Sequence, residues 1–387
     1  MKIGIEAQRL FRAKKHGMDM VALALIKNLQ RIDTVNEYVI FVKPDQDTSC
    51  LPAADNFKVV ELSSALGYAG WEQIELPKAA KKEACDLLHC TSNTAPLLTD
   101  IPTLVTLHDI IYLESVSIFK KEGTWYQKLG NMYRRFVVPT VVRNAAKVIT
   151  VSTYEKRRIQ HFFKLNEAQL TAVYNGVGAH FEKVTDVVAL TKIKEKYSLP
   201  ERFFFFLGNT DPKKNTKGVL QAFADFNKKQ SKKYHLVMLD YDQAELTKLL
   251  QQIDEPALQE FIHLTGYVPN EELPTIISQA QAFLYPSLRE SFGIPILEGM
   301  ACGVPMITST TSSMPEVAGE DGAAILVNPL QTQEITKAMQ RVVEDQALAK
   351  LLTEKGILRA KQFSWEHMAK SVLALYQEVY QQKYLNK

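Results

Sequence analysis

The sequence predicts an α/β protein built from two doubly wound domains, and three observations carry that prediction. The chain has 387 residues, which exceeds one ordinary hydrophobic core and favours two domains. Short apolar runs alternate with amphipathic helical patterns, as in parallel sheets covered by helices on both faces. The alternation restarts after Asn175-Gly176. We therefore expect one domain over residues 1–180 and a second over residues 181–365.

The first half opens with a strand pattern over residues 2–7, then a loop containing Gly17, then a helical pattern over residues 18–32. Further strand patterns follow in the runs YVIFV, LLHC, TLVTLHD, KVITVS and LTAVYNG. Helical patterns lie between most of these runs. This order predicts the first parallel sheet.

The second half begins with a charged helical pattern and the run RFFFFLG, whose four consecutive phenylalanines predict a strand buried on both faces. The runs HLVMLD, FIHLTGYV, AFLYP, VPMITST and AAILVNP predict further strands. Apolar residues at helical spacing predict one helix packed on this sheet: Val219, Leu220, Phe223 and Phe226. The last helical pattern, over residues 366–387, has an apolar face that packs either on the second domain or back on the first.

Composition excludes several classes of protein. Hydrophobic residues make up 46% and charged residues 23%, as in an ordinary globular enzyme. The net charge of +3 is too small to indicate a nucleic-acid partner. The four cysteines form no CxxC pair, so we expect reduced thiols in a cytoplasmic protein. Neither a signal-peptide pattern nor a run of about 18 apolar residues is present, so no transmembrane helix is expected.

Chemistry in open α/β sheets is expected in the loops beyond the carboxyl ends of the strands. No GxGxxG, Walker A or GxSxG pattern follows a strand, which argues against dinucleotide-binding, P-loop and hydrolase classes. Gly17 precedes a helix, whose N-terminus favours an anion, and a plain turn is the alternative. His108 and Asp109 end a buried strand. For His108 the alternatives are a metal ligand, a packing or capping role, and hydrogen bonding towards an interdomain cleft.

The loop GNTDPKKN follows the phenylalanine strand and precedes a helix. Its Lys213 and Lys214 oppose the helix dipole, so helix stability does not favour them there. An anionic ligand would offset that repulsion. The alternative is a solvated pair of surface lysines.

The run YPSLRESFGIPILEGMACGVP, over residues 285–305, is the most specific pattern in the chain. Pro295 fits the first turn of a helix that Gly303 ends, and Gly293 permits close approach of a ligand to the backbone. The N–H groups of residues 291–293 can point at that ligand.

Two acids, Glu290 and Glu298, lie on opposite sides of this turn. Such a separation suits hydroxyl groups at two ends of one ligand. Taken singly, Glu290 is a solvated loop acid and Glu298 an acid that stabilises a helix N-terminus. The combination in a strand–loop–helix setting is more specific than either residue.

With these residues the chain resembles the retaining nucleotide-sugar glycosyltransferases of family 4. Members have the GT-B architecture of two facing Rossmann-like domains with an interdomain cleft. The resemblance rests on the Glu290–Glu298 motif and the GNTDPKKN loop, and LTGYVPNEELP, SSMPEVAG, LHDI and FSWEHMAKSVLALYQEV agree with it. It spans nearly the whole chain and is strongest in the second half.

The resemblance implies a role for each matching residue. Glu290 would bind hydroxyls of the transferred sugar, and His108 would lie beside that sugar, so these two are the implied catalytic residues. Glu298 would bind the ribose hydroxyls. Lys214 would neutralise the diphosphate, with Gly17 approaching it from the first domain.

Further residues are implied to bind the donor. The backbone at Ser291, Phe292 and Gly293 would contact the sugar and its phosphates, and Val268 would line the nucleobase pocket. Asn209 and Lys213 would support the diphosphate, although each replaces an arginine found in other members. Lysine there gives a point charge without the bidentate fork of arginine.

The implied reaction moves a mannose- or glucose-type hexose from a GDP- or UDP-linked donor to a glycan or lipid-linked acceptor in surface-polysaccharide assembly. It retains the anomeric configuration and uses neither a metal nor another cofactor. No DxD pattern ends a strand, and LDYD at residues 239–242 comes nearest. The rivals are a sugar-nucleotide 2-epimerase of the same architecture and a non-catalytic sugar-nucleotide binding protein.

Residues 119–147 form a basic segment in which Trp125, Tyr126 and Tyr133 are interleaved with seven cations and one acid, Glu122. One interpretation is contact with an anionic lipid-linked acceptor or with the inner membrane surface. The other is a solvated helix face. The seven cations are Lys120, Lys121, Lys128, Arg134, Arg135, Arg143 and Lys147.

Overall fold

The computed structural model describes residues 1–114 and 125–385, and for residues 125–128 and 385 it describes the backbone alone. The chain divides into two compact units. The first unit contains residues 1–176 and the segment from Trp365 onward, and the second contains residues 177–364. Within the described residues, no helix combines the length and the apolar character that crossing a membrane requires.

The described part of the first unit forms a seven-stranded sheet with every pairing parallel. The strands are β1 (Lys2–Glu6), β2 (Glu37–Val42), β3 (Phe57–Glu61), β4 (Leu87–Cys90), β5 (Thr103–Thr106), β6 (Lys147–Thr150) and β7 (Leu170–Ala172). Their order is β3-β2-β1-β4-β5-β6-β7, so the winding reverses between β1 and β4. The loops that follow β1 and β4 are therefore neighbours at the edge where α/β sheets bind ligands.

Helices cover both faces of this sheet. They are α1 (Gly17–Ile32), α2 (Gly67–Gly70), α3 (Leu76–Lys82), α4 (Ile111–Glu114), α5 (Trp125–Asn144) and α6 (Thr153–Phe163). A π-helical turn, Trp71–Glu75, joins α2 to α3, and 3₁₀ turns span Thr48–Cys50 and Glu167–Gln169.

The second unit contains, among its described residues, a six-stranded parallel sheet of order β10-β9-β8-β11-β12-β13. The strands are β8 (Phe203–Phe206), β9 (His235–Met238), β10 (Ile262–Leu264), β11 (Phe283–Tyr285), β12 (Met306–Ser309) and β13 (Ile325–Val327). The winding reverses between β8 and β11. The predicted α/β class with two doubly wound parallel sheets is confirmed.

The helices of the second unit are α7 (Val187–Lys196), α8 (Thr216–Lys228), α9 (Gln243–Gln252), α10 (Leu273–Ile277), α11 (Ile294–Ala301), α12 (Met314–Ala318), α13 (Thr332–Glu344) and α14 (Gln346–Ala360). Short 3₁₀ turns span Pro212–Lys214 and Pro256–Phe261. The four phenylalanines of β8 are all buried, and so are the four apolar residues predicted on the face of α8. Burial on both sheet faces explains why β8 shows no polar alternation.

The chain returns to the first unit as α15 (Trp365–Tyr380), followed by the π-helical turn Gln381–Leu385. This helix packs against α1 and buries Met368, Val372 and Tyr376 in the core that includes Ile3 of β1. The Tyr376 hydroxyl lies 2.7 Å from Nδ1 of the buried His89 on β4. The core of the first unit is therefore assembled from both ends of the described chain.

Two strands differ from the sequence patterns. Strand β3 was not predicted, although its run FKVVE contains three apolar residues. It lies at the sheet edge, where Lys58, Val59 and Glu61 remain exposed and no residue of the strand is fully buried. The run FIHLTGYV pairs only over Ile262–Leu264. It is shorter than predicted because Gly266 adopts a left-handed φ of +68° and ends the extended backbone.

Candidate functional site

The reversal of the second sheet brings together two of the residues singled out in the sequence. Lys214 ends the 3₁₀ turn after β8, and Glu290 lies in the loop after β11. Lys214 Nζ lies 2.7 Å from Glu290 Oε1 and donates a second hydrogen bond of 2.8 Å to the Tyr285 hydroxyl. Only 14% and 12% of the Lys214 and Glu290 side chains are exposed. The site thus contains a largely buried, mutually neutralised ion pair.

Tyr285, at the end of β11, lies beneath this pair. Its ring centroid is 4.8 Å from Lys214 Nζ, within the range of a cation–π contact. Burial first, and then the nearby carboxylates of Glu290 and Glu298, raise the pKa of the Tyr285 phenol well above its ordinary value. Both acids of the motif thus raise the pKa of the same buried phenol. The Tyr285 hydroxyl therefore keeps its proton at neutral pH.

The loop after β8 is fixed by its own polar side chains. Asp211 accepts a hydrogen bond of 3.1 Å from the Lys213 N–H, and the backbone oxygen of Lys213 accepts one of 2.7 Å from Leu288 N–H in the neighbouring loop. Asn215 adopts a left-handed φ of +58° and donates to the carbonyl oxygen of Pro286. These bonds tie the two loops together and hold Lys214 against Glu290.

Asn209 and Lys213 lie closer to solvent than Lys214. The Asn209 side chain is exposed and accepts a hydrogen bond of 2.9 Å from Asp211 N–H. Lys213 is 43% exposed and pairs loosely with Asp211 at 3.5 Å. Of the two lysines in the predicted anion loop, only Lys214 points at the motif acid.

Hydroxyl groups from the loop after β12 hold the Glu290 loop in place. Ser313, fully buried, donates to the carbonyl oxygens of both Glu290 and Phe292 at 2.9 Å. The Ser312 hydroxyl accepts a hydrogen bond of 3.0 Å from Glu290 N–H. Thr311 donates to the Leu288 carbonyl at 3.1 Å. Sequence reasoning missed these contacts, although the six consecutive hydroxyl residues TSTTSS, which end β12 and begin the next loop, were a visible signal.

Helix α11 begins where the sequence predicted. Gly293 precedes it with a φ of +104°, a region that strains any residue with a Cβ, and a Cβ there would lie 3.0 Å from Ile296. Phe292 packs its ring edge-on against Phe363, with centroids 6.0 Å apart, so a ligand would meet its backbone. Glu298 lies on the second turn of the helix, and burial raises the pKa of its carboxyl to about 7.

Val268 lies beyond the carboxyl end of β10, and the LDYD run, residues 239–242, follows the carboxyl end of β9. Val268 is buried, two residues after the left-handed Gly266, whose carbonyl accepts a hydrogen bond of 3.0 Å from Asp240 N–H. Asp242 caps α9 by accepting a bond of 2.8 Å from Glu245 N–H. Helix capping thus accounts for the second acid of LDYD. Across the described residues, no group of three or more His, Cys, Asp or Glu side chains is arranged to hold a metal ion.

The remaining predicted residues, Gly17 and His108, belong to the first unit. Gly17 is the first residue of α1, and neither a left-handed φ nor a neighbouring atom within 4 Å requires a glycine there. His108 is buried after β5, with its Nε2 3.0 Å from the Thr91 carbonyl oxygen. Because a carbonyl only accepts, Nε2 carries the proton and Nδ1 is left as an acceptor. Burial lowers the pKa of His108, so the ring is neutral at pH 7.

The basic segment departs from its predicted surface role at one end. Lys147 is buried and donates to the Ala168 carbonyl at 2.6 Å and to Glu378 at 2.7 Å, so it is an internal cation. Arg143, four residues earlier in the segment, is exposed. Lys120, Lys121 and Glu122 lie outside the described residues, as do the side chains of Trp125, Tyr126 and Lys128.

Two protein-family models match the chain. The model of glycosyl transferases group 1 matches residues 190–359, and that of Glycosyltransferase Family 4 matches residues 16–180. The O-antigen chain mannosyltransferase B of Escherichia coli is 29% identical over 274 residues, covering 70% of this chain and 69% of that protein. The serotype-specific mannosyltransferase WbdA of Escherichia coli is 26% identical over 288 residues, and the matched region is 34% of its length.

Solved structures show a similar fold. Sucrose-phosphate synthase from Thermosynechococcus elongatus matches with a TM-score of 0.76 and 19% identity, covering 98% of this chain and 99% of that one. Anabaena HepE in complex with UDP-glucose matches with a TM-score of 0.75 and 18% identity, covering 98% and 100%.

Proposed function

This chain belongs to glycosyltransferase family 4, and on that premise we propose that it is a retaining hexosyltransferase. It moves a hexose from a nucleoside-diphosphate sugar to a glycan or lipid-linked acceptor in the assembly of a surface polysaccharide. Mannose is the preferred sugar in this proposal, because the curated relatives include the O-antigen mannosyltransferases of Escherichia coli and Salmonella typhimurium. Their names favour a transferase over an epimerase or a binding protein.

The observation that carries the proposal is the Lys214–Glu290 pair at the reversal of the second sheet. A diphosphate would compete with Glu290 for the Lys214 ammonium, because a phosphate oxygen is also a charge-assisted acceptor. Glu290 would then accept hydrogen bonds from hydroxyls of the transferred hexose. Glu298, on the far side of Gly293, would accept from the ribose hydroxyls.

The proposed transfer step uses these contacts. The bond between the anomeric carbon and the diphosphate oxygen breaks while the acceptor oxygen bonds to the same face of that carbon. The acceptor proton passes to the departing diphosphate. Lys214 and the backbone N–H groups of residues 291–293 stabilise the negative charge that develops on the leaving group, which makes a metal unnecessary in this proposal.

Gly17 and His108 of the first unit complete the proposed donor contacts. Neither the backbone conformation nor a neighbouring atom requires a glycine at position 17. A glycine there is consistent with close approach of a diphosphate to the backbone. The Nδ1 acceptor of the neutral His108 ring suits a hydroxyl of the transferred hexose. Asn209, Lys213 and Val268 are proposed as weaker donor contacts.

A thermal-shift panel of UDP, GDP and ADP and their hexose conjugates tests the nucleotide. A ligand at 100 times its Kd stabilises a folded protein by about 2.7 kcal/mol, which raises Tm measurably. We expect GDP and GDP-mannose to raise Tm. If no nucleotide or sugar nucleotide shifts Tm, the proposal is wrong.

Two further assays test the reaction itself. Proton NMR of the first product formed should show the same anomeric configuration as the donor, and inversion would overturn the retaining mechanism. Transfer should persist in excess EDTA, and loss that Mg²⁺ or Mn²⁺ restores would overturn metal independence. Donor incubated without acceptor should not isomerise.

A cytoplasmic location with peripheral contact at the inner membrane face is part of the same proposal. Helix α5 exposes Leu129, Met132 and Phe136 at helical spacing, next to a sequence rich in cations. Flotation with phosphatidylglycerol vesicles tests this contact. Phe136→Ser should reduce vesicle binding, while flotation equal to that of the unmodified protein would remove the membrane contact from the proposal.

A further inference from the structure

A separate cavity opens at the reversal of the first sheet. It has a volume of about 430 Å³, within the range of small-molecule sites. Arg9 and Arg12 reach it from the loop after β1, and Thr94 reaches it from the loop after β4. Tyr68, Tyr133 and Arg134 complete the part of the lining that matters here. The winding reversal thus places side chains from two neighbouring loops around one space.

The charge of this cavity is unbalanced. Its described lining contains three guanidinium groups and no carboxylate. Arg9 is neutralised by the buried Asp19, whose Oδ1 lies 2.9 Å from Arg9 Nε. Arg134 stacks over the Tyr112 ring at 5.4 Å, and the Arg12 guanidinium makes neither an ion pair nor a hydrogen bond with the described residues. The charges of Arg12 and Arg134 are therefore not balanced by a carboxylate of the described lining, and both can attract an anionic group.

The opposite wall of the cavity is aromatic. The rings of Tyr68 and Tyr133 meet edge to face, with centroids 5.6 Å apart. Beneath them the fully buried Glu72, on the π-helical turn, accepts hydrogen bonds from the hydroxyls of Tyr68, Tyr133 and Thr94. The Tyr133 hydroxyl also accepts a hydrogen bond of 2.7 Å from Gln73 Nε2, and the Tyr68 hydroxyl lies 2.8 Å from that of Thr94. This network holds the two rings in place as an aromatic surface on which a saccharide ring can pack.

We infer that this cavity is the acceptor subsite and that it takes a saccharide bearing a phosphate group. The sugar lies against Tyr68 and Tyr133, and the phosphate is held by Arg12 and Arg134. This inference rests on the proposed hexosyl transfer and narrows its acceptor to an anionic class. A guanidinium matches phosphate geometry better than an ammonium does, and a phosphate bound by arginines is held by charge-assisted bonds.

The test measures binding of mannose 1-phosphate by calorimetry with the donor site saturated by the nucleoside diphosphate that raises Tm. Arg12→Gln and Arg134→Gln should each weaken that binding about tenfold, the effect of losing a charge-assisted hydrogen bond. The Kd for the nucleoside diphosphate should not change. Lys81→Gln is the matched control, because Lys81 is an exposed cation of the same unit that does not line the cavity.

Three comparison ligands decide the chemistry. Methyl α-mannoside should bind at least tenfold more weakly than mannose 1-phosphate, and equal binding would overturn the anionic part of the inference. Inorganic phosphate that binds as tightly as mannose 1-phosphate would overturn the saccharide part. If Arg12→Gln weakens binding to phosphatidylglycerol vesicles but not to mannose 1-phosphate, the cavity recognises a lipid headgroup and the inference is wrong.

Failure of the acceptor inference can be distinguished from failure of the proposed transferase function. A protein that binds no nucleoside diphosphate fails the transferase proposal before the acceptor is tested. A protein that binds the nucleotide and transfers hexose, yet shows the same mannose 1-phosphate affinity in the parent, Arg12→Gln and Arg134→Gln forms, fails only the acceptor inference.

Discussion

Lys214 and Glu290 are hydrogen-bonded to each other at 2.7 Å, although the first is assigned to a diphosphate and the second to a sugar. The pair joins the loop after β8 to the loop after β11 across the reversal of the sheet. Each side chain compensates the charge of the other in a setting largely removed from water. In the proposed donor complex, a diphosphate that binds the ammonium would therefore also free the carboxylate for the sugar.

Replacement of Glu290 should separate binding from transfer. In Glu290→Gln, Lys214 loses its charged partner, so affinity for the nucleoside diphosphate should be kept or increased. Hexose transfer should fall by about 10²-fold or more, as when one preorganised polar contact is lost from an active site. Calorimetry with GDP or UDP and initial rates measure the two effects. Glu245→Gln, which breaks the exposed pair with Lys248, should change neither.

The stability of the pair can be measured by a double-mutant cycle. Lys214→Gln and Glu290→Gln each leave one largely buried group without its charged partner and should lower the free energy of unfolding by about 1–3 kcal/mol. The double variant should recover part of that loss, because no lone charge remains. Urea denaturation gives the values. The exposed Lys248–Glu245 pair should show a coupling below about 1 kcal/mol, and an equally small coupling for Lys214–Glu290 would contradict the expectation.

Replacement of Glu298 should weaken the nucleotide even without a sugar. Its proposed partners are ribose hydroxyls, which GDP and UDP carry whether or not a hexose is attached. Glu298→Ala should therefore lose about tenfold or more in nucleoside diphosphate affinity, the scale of a hydrogen bond to a charged group. Glu290→Ala serves as the comparison. Equal losses in the two variants would show that the division of roles between the acids is wrong.

Stability should depend on pH through Glu298. Burial raises the pKa of this carboxyl from 4.5 to about 7, so between those pH values the folded state holds a proton that the unfolded state has released. Stability contributed by that proton declines as the pH rises through this window. The Tm of the parent protein should therefore fall between pH 5 and pH 8 by more than the Tm of Glu298→Gln does. The same scan on Glu260→Gln, at an exposed position, should run parallel to the parent.

Ser313 should matter for both stability and transfer. Ser313→Ala removes the buried hydroxyl that the carbonyl oxygens of Glu290 and Phe292 share, which costs about 1–3 kcal/mol. The loosened loop should also lower kcat more than it raises the nucleotide Kd, because Glu290 is displaced. Denaturation and steady-state rates test this. Ser371→Ala removes only an exposed bond to the His367 carbonyl one turn earlier and should be near neutral.

The sequence predicted those parts of the fold that depend on local patterns. The phenylalanines of β8 marked a strand covered on both faces, and the Gly293–Pro295 sequence located the start of α11. Strand β3 was missed because its five residues, FKVVE, lie at an exposed sheet edge and form no buried apolar face. Its existence depends on pairing with β2, a contact that sequence periodicity does not encode.

The candidate site was predictable residue by residue but not as a set of contacts. Lys214 and Glu290 were both chosen from the sequence, yet their hydrogen bond depends on which loops the strand order makes neighbours. Glu72 was missed because an acid within an ordinary helical run gives no sign that three hydroxyls converge on it. The burial of Lys147 was missed for the same reason, since its partner Glu378 is contributed by α15.

The contribution of α15 to the first unit has a consequence during synthesis on the ribosome. Residues 1–176 emerge first, but the side chains of Met368, Val372 and Tyr376 that close their core follow only after the whole of residues 177–364. At translation rates of about 5–20 residues per second, that delay lasts roughly 10 to 40 s. The apolar surface of β1 and α1 that α15 covers stays open for this period, so the second unit is the first that can complete its folding while the chain is still being made.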